Sequence, residues 1–132
     1  MSEEFKVEIV NPESSFLLKE DVTEVVIPAF EGEMGILKDH ISLISFLKPG
    51  IIKVYSKSDE KKYFVEDGIV EFKDNNLSIL TSSIFKVSDL DRNKIDQIVK
   101  DAEKATAVNN IDDQKRYLID QKIEVLKYLS IN

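Results

Sequence analysis

The hydrophobic pattern of this 132-residue chain changes period once, near residue 87, and that change limits it to a β part followed by a helical part. Upstream, apolar and polar residues alternate. Phe5, Val7 and Ile9 are separated by Lys6 and Glu8, which gives a strand one buried and one wet face. Asn11-Pro12-Glu13 signals a turn. Short strands are expected at Ser15–Leu18, Thr23–Ile27, Ile41–Leu47, Ile51–Tyr55, Lys62–Val65, Ile69–Phe72 and Leu77–Leu80. Lys48-Pro49-Gly50, Ser58-Asp59-Glu60, Glu66-Asp67-Gly68 and Asp74-Asn75-Asn76 supply the turns between them. About ten strands fit before Val87, and short strands so closely spaced predict a β-sandwich or barrel.

Downstream, the period becomes helical. Leu90, Ile95, Ile98, Val99, Ala102 and Ala105 share one face of a first helix. Ser88-x-x-Asp91 has the form of a capping box, with an acid in place of the usual Glu. Asn109-Asn110 stops this helix or caps the next, and Asp112 and Asp113 fall in the first turn of the second, where they complement its dipole. The second helix carries two neighbouring stripes, Ile119/Ile123/Leu126 and Leu118/Val125/Leu129. The expected organisation is therefore mainly β with α: a ten-stranded sandwich over residues 1–87 and a helical hairpin over 88–132. A helix pair of about 40 residues buries too little surface to be stable alone. Its wide apolar face must dock on the sandwich or on something else.

Charge and composition remove several functions. The chain carries −7 overall; residues 1–87 hold 10 basic and 16 acidic groups, residues 88–132 hold 8 and 9. An acidic sandwich is a poor surface for nucleic acid or anionic lipid. There is no cysteine, hence no disulfide or thiolate chemistry. No apolar run is long enough to span a bilayer. The start, MSEEFKVEIV, lacks the basic end and apolar block of a signal peptide, so a cytosol-facing chain is expected.

The densest motif is Glu31–Gly50, EGEMGILKDHISLISFLKPG, read as a shaped loop feeding a strand. His40 is the only histidine, so it has no second histidine for a metal, and without a relay it reads as a polar loop residue bonded to backbone. Glu31 and Glu33 flank Gly32 in a glycine-rich turn, where paired acids are ordinarily solvated rather than set in a cleft. Gly32 and Gly35 are expected at turn dihedrals. The segment lacks the GKS/T ending of a phosphate loop. No catalytic, metal or cofactor constellation is expected.

The run resembles the signature of the epsilon-subunit family of F-type ATP synthases, EGE-L/M-GI-x-x-x-H-x-x-L followed by K-P-G. The matching residues are Glu31, Gly32, Glu33, Met34, Gly35, Ile36, His40, Leu43, Lys48, Pro49 and Gly50. The resemblance extends in order over the rest of the chain. It implies a ten-stranded flattened sandwich with a helical hairpin, and a non-catalytic central-stalk subunit of the proton-translocating synthase. One face of the sandwich would grip the gamma subunit, and one end, with Glu31, Glu33 and His40, would rest on the ring of membrane-embedded c subunits. Membrane association would come only through the complex, on the cytoplasmic side of a bacterial inner membrane. In bacterial members an extended hairpin blocks ATP hydrolysis; here Lys115, Arg116, Lys122 and Lys127 would then meet acidic segments of the alpha and beta catalytic subunits. Some members bind ATP through I/L-D-x-x-R-A. This chain has Leu90, Asp91, Arg92, Asn93, Lys94 and Ile95, with lysine for arginine and isoleucine for alanine. Lysine lacks the planar fork that holds phosphate, so no bound cofactor is expected. The rival reading is a free-standing β-sandwich module with a helical tail that binds a peptide or small acid.

Overall fold

The computed structural model of the chain describes residues 3–107 and 111–131. Asn109 and Asn110, the expected helix stop, lie outside the described residues. Nine strands form one sheet that folds back on itself: β1 (Phe5–Asn11), β2 (Ser14–Ala29), β3 (Gly32–Leu37), β4 (Leu43–Leu47), β5 (Gly50–Ser56), β6 (Glu60–Val65), β7 (Gly68–Lys73), β8 (Asn76–Leu80) and β9 (Ile84–Lys86). The order is β1-β8-β7-β4-β2-β5-β6-β9, with β3 added on β2. A further β1–β2 pairing closes the sheet into a flattened, two-layered barrel. β1 and β8 run parallel; the other pairs are antiparallel.

The long strand β2 makes the closure. Its first half pairs with β1, from Asn11↔Ser14 to Phe5↔Val22, and its second half with β3 and β5 through Val25↔Ile36 and Val25↔Val54. The register shifts between Val22 and Glu24, and there the strand passes from one layer to the other. The two short strands expected at Ser15–Leu18 and Thr23–Ile27 are thus one bent strand. The intervening Lys19-Glu20-Asp21-Val22 has no glycine or proline to break it. This merger is one reason for nine strands among the described residues rather than about ten.

Alternation along the strands sends Val7, Ile9, Val25, Ile27, Val54, Val70, Phe72 and Ile79 into one core between the layers. Phe5 and Phe72 meet edge to face there, ring centroids 5.6 Å apart.

A single 3-10 turn (Val87–Asp89) leads to α1 (Arg92–Thr106) and then α2 (Asp113–Ile131). The expected Ser88 cap is not used. Ser88 lies inside the 3-10 turn, and the Asp91 carboxylate accepts from the Lys94 N–H at 2.8 Å, which makes Asp91 the N-cap. Asp112 likewise stands one position earlier than expected, accepting from the Lys115 N–H at 2.7 Å as the cap of α2, with Asp113 in the first turn.

The hairpin lies on the outer face of β5–β6. Phe64, which points away from the inner core, is fully buried against Ile95, Val99 and Leu126, with Ile51, Ile98, Ile123, Val125 and Leu129 half-buried around them. Of the two expected stripes on α2, only Leu126 is fully buried. Ala105 of α1 is exposed.

Candidate functional site

The segment Glu31–His40 is not a loop. Gly32–Leu37 is a strand, β3, hydrogen-bonded along β2 from Ala29↔Gly32 to Glu24↔Leu37. Met34 and Ile36 turn inward while Glu33, Gly35 and Leu37 turn outward, the strand alternation that two glycines obscure. Gly32 does need its freedom, at φ 134°. Gly35 does not take a turn conformation; it sits mid-strand, where a Cβ would lie 3.1 Å from Glu24 Oε2.

β3 also separates the three residues expected at one end. Glu31 is exposed in the turn before β3, and Glu33 is exposed at the start of the strand, beside a cleft that also holds Lys48, Lys53, Gln121 and Glu124. His40 lies beyond the other end of β3, and Glu33 to Leu37 alone spans roughly 13 Å at about 3.3 Å per residue. Strand β3 thus sets His40 apart from Glu31 and Glu33. His40 Nδ1 donates to the Ile41 carbonyl at 2.8 Å, and the ring packs edge-on to Phe72. The preceding Asp39, at φ 67°, is clipped to the β7–β8 turn: its N–H donates to Asn75 Oδ1 at 2.7 Å, and Asn75 Nδ2 donates back to Asp39 Oδ1 at 3.0 Å. His40 is thus a loop residue bonded to backbone.

On the hairpin, Lys115, Arg116 and Lys127 are exposed on α2. Lys122 instead forms an ion pair with Glu66 in the β6–β7 turn, both side chains about three-quarters buried. Asp91 spends its carboxylate on the α1 cap, Lys94 is exposed, and Leu90 packs with the hairpin core. At the far end of the sandwich, the Ser56 hydroxyl bonds the Asp59 carboxylate at 2.5 Å, and Lys19 stands 3.7 Å away. The hydroxyl first, and the lysine charge after it, hold the Asp59 carboxyl below its ordinary value. Burial pushes the Tyr63 phenol up, with the Asp59 charge adding to the effect. Asp59 belongs to the β5–β6 hairpin tip, whereas Tyr63 sits in mid-β6, packed edge-on against Phe16 and bordering a cleft with Lys61, Lys62, Lys86 and Ser88.

The feature sequence reasoning missed is an apolar surface on the outside of the β1-β8-β7-β4 layer. Phe46 pairs with Ile69, Ile69 with Leu80, and Leu80 with Val10, so four apolar side chains form one row across four strands. Phe46, Ile69 and Leu80 remain 57%, 44% and 51% exposed. Phe30, whose N–H donates to the Phe46 carbonyl at 3.2 Å, extends the row. The row borders a groove of about 510 Å³ that Leu118 of α2 also lines. The signal lay in Leu43-Ile44-Ser45-Phe46-Leu47: a strand apolar on both faces expects cover on both. Such a surface, with no reactive cluster beside it, is built for binding a protein.

Comparison with known proteins agrees. The family profile described as ATP synthase, delta/epsilon chain, β-sandwich domain matches residues 4–87. The chain belongs to the ATP synthase delta/epsilon chain family. Among family members, it is 70% identical over 130 residues to the ATP synthase epsilon chain of Pelagibacter ubique, covering 98% of this chain and all of the relative. It is 35% identical over 130 residues to the epsilon chain of Mesorhizobium japonicum, covering 98% and 95%. It is also 39% identical over 101 residues to the mitochondrial ATP synthase subunit delta of Schizosaccharomyces pombe, covering 75% and 60%. The fold matches a chain of the Euglena gracilis mitochondrial ATP synthase OSCP/F1/c-ring structure with a TM-score of 0.74 at 20% identity, covering 98% of this chain and 80% of that one. It matches a chain of the Tetrahymena thermophila ATP synthase central stalk/c-ring structure with a TM-score of 0.70 at 14% identity, covering 93% of both. Membership of the delta/epsilon family displaces the reading of an unrelated free-standing module.

Proposed function

We propose that this chain is the epsilon-type subunit of a rotary proton-translocating ATP synthase, a non-catalytic link between the gamma subunit and the c ring. The observation that carries the reading is the apolar row Phe46–Ile69–Leu80–Val10, its first three members exposed, on a closed sandwich. A subunit that transmits torque needs a rigid body and an adhesive face, and the row is that face for gamma. Residues 1–87 make the gamma and c-ring contacts, and residues 88–132 form the hairpin. The exposed carboxylates of Glu31 and Glu33 are the acceptors for polar or basic groups on the c-ring loops; His40, committed to its own backbone, positions its loop instead.

The hairpin is docked in this structure, and its release is the proposed brake on ATP hydrolysis. In the released state Lys115, Arg116 and a Lys122 freed from Glu66 would face the alpha and beta subunits. The chain attaches to the membrane only through its partners, and among the described residues no helix is long and apolar enough to cross one. The epsilon chains of bacteria to which it is similar support a place on the cytoplasmic side of a bacterial inner membrane.

The test is affinity purification of the tagged chain from gently solubilised membranes. Co-purification of gamma and the catalytic subunits in fixed ratio, with ATPase activity, is expected. Recovery of the chain alone, even with gamma supplied, overturns the reading. Truncation after Val87 should raise the ATPase activity of the complex; unchanged activity removes the brake.

A further inference from the structure

We propose that the outer face of the β1-β8-β7-β4 layer seats an amphipathic helix with a basic flank, and that the docked hairpin forms one wall of this seat, so that partner binding and hairpin docking favour each other. The inference rests on the reading that this face grips gamma, and adds the chemistry of the gripped segment and its coupling to the hairpin.

Two rows define the seat. The apolar row, Phe46–Ile69–Leu80–Val10, crosses four strands, roughly 14 Å at about 4.8 Å per strand. That is the length of two to three helical turns. Two residues further along the strands runs a second row, Ile44–Glu71–Ser78–Glu8, set by the pairs Ile44↔Glu71, Glu71↔Ser78 and Glu8↔Ser78. The rows lie about 7 Å apart, so one helix of about 10 Å diameter covers both. Its apolar stripe rests on the first row, and the side chains next to that stripe fall over Glu71 and Glu8. Carboxylates there select lysine or arginine on the partner and penalise acids. The acidic balance of residues 1–87 steers the same partner.

The hairpin enters at the end of the apolar row. Leu118 lines the groove with Phe30, Phe46, Ile69 and Leu80, and Glu66 lines it too. Glu66 is the residue that Lys122 holds. Leu118 and Lys122 are four apart on α2 and share one side of the helix. Hairpin release therefore removes Leu118 from the groove and leaves Glu66 without its lysine. A partner that touches Leu118 binds the docked form more tightly than the released one, and by linkage it tightens docking by the same factor.

The test measures binding of the full chain to a catalytic assembly that contains gamma but lacks this chain, at low and moderate salt, together with amide hydrogen exchange along α2. Phe46→Glu is expected to weaken binding by about 100-fold or more, and Leu118→Ala by roughly five- to tenfold. Binding should weaken with salt, and Glu71→Gln should flatten that dependence. Exchange at residues 118–126 should slow on binding. Because Phe46 is exposed, its variant should keep the wild-type circular dichroism; if it does not, Leu80→Lys reads the same face. Wild-type binding by Phe46→Glu or Leu80→Lys overturns the seat. An unchanged salt slope in Glu71→Gln overturns the basic flank. Leu118→Ala binding within twofold of wild type, with α2 exchange unchanged, overturns the coupling. Failure of the wild-type chain to bind at all is a different result, and overturns the gamma-gripping reading itself.

Discussion

Replacing Leu126 with alanine should release the hairpin without loosening the sandwich. Leu126 is fully buried between Phe64, Ile95 and Val99, and belongs to the hairpin cluster rather than to the core between the layers. Truncating a buried leucine costs about 2–5 kcal/mol, because the transfer energy and the residual cavity add. The Lys122–Glu66 ion pair between hairpin and sandwich keeps about a quarter of each side chain in solvent, and a partly solvated pair contributes about 0–1 kcal/mol. With tenfold per roughly 1.4 kcal/mol, Leu126→Ala should raise the undocked population roughly 30- to 4,000-fold, and Lys122→Gln no more than about fivefold. Hydrogen exchange with mass spectrometry resolves the two. Amides of α1 and α2 should speed up strongly in Leu126→Ala and little in Lys122→Gln, while those of β1, β7 and β8 keep wild-type protection. Equal acceleration in both variants would refute the claim that apolar burial, not the ion pair, holds the hairpin. Loss of protection in β1 and β8 would refute the separation of the two cores.

Four further outcomes follow from single positions. The Ser45 hydroxyl is buried with no hydrogen-bond partner, so Ser45→Ala should raise the thermal midpoint or leave it unchanged, by up to about 1–3 kcal/mol of stability; a clear loss would mean the hydroxyl is satisfied. A Cβ on Gly50 would lie 2.5 Å from Pro28 Cβ, so Gly50→Ala should destabilise the sandwich by about 1–3 kcal/mol in urea titration, and a neutral result would contradict that close approach. Asp91→Ala removes the α1 cap and should cost about 0.5–2 kcal/mol, seen as faster exchange in the first turn of α1 only. Asp59 is held below the ordinary aspartate value of 3.8 chiefly by the Ser56 hydroxyl. A depressed folded pKa gives stability above the unfolded value that is lost as pH falls through the folded one, so this contribution fades only below about pH 4. Ser56→Ala should move the Asp59 titration, followed by NMR, up toward 3.8; an unmoved midpoint would exclude the hydroxyl as the main cause.

Where pairing is local and the period clean, the fold was legible. Phe5-Lys6-Val7-Glu8-Ile9 and Ile69-Val70-Glu71-Phe72 read as half-buried strands and are so. β3 was hidden because Gly32 and Gly35 carry a turn signal, although Met34 and Ile36 keep strand alternation. β2 was cut in two because a charged stretch interrupts its apolar pattern, whereas a strand can bend through such residues while crossing between layers. The helical caps were misplaced by one to three residues, since Ser88 and Asp91 are both competent before α1, and Asp112 and Asp113 both fit the start of α2. The family could be read from Glu31–Gly50 at once. The binding face could not, because Phe46 reaches Ile69 and Leu80 reaches Val10 only through non-local registers. For the same reason the Lys122–Glu66 ion pair of the docked form could not be read from the sequence.

The two apolar clusters hold different parts of the chain. The inner core draws on both layers, and the β1–β2 closure gives β1, β8, β7, β4 and β2 a ladder on each side, while β3 and β9 remain edges. Shear applied to the outer row at Phe46 and Ile69 is therefore shared around the closed ring of strands, which would suit the proposed link between gamma and the c ring. The hairpin core is smaller, with Phe64, Ile95, Val99 and Leu126 buried and seven partly buried apolar residues around them. Because this cluster is separate from the inner core, the hairpin can be displaced while the sandwich stays intact. Leu118 places the hairpin beside the exposed apolar row itself, so the proposed coupling between partner binding and hairpin docking would need no deformation of the β layers.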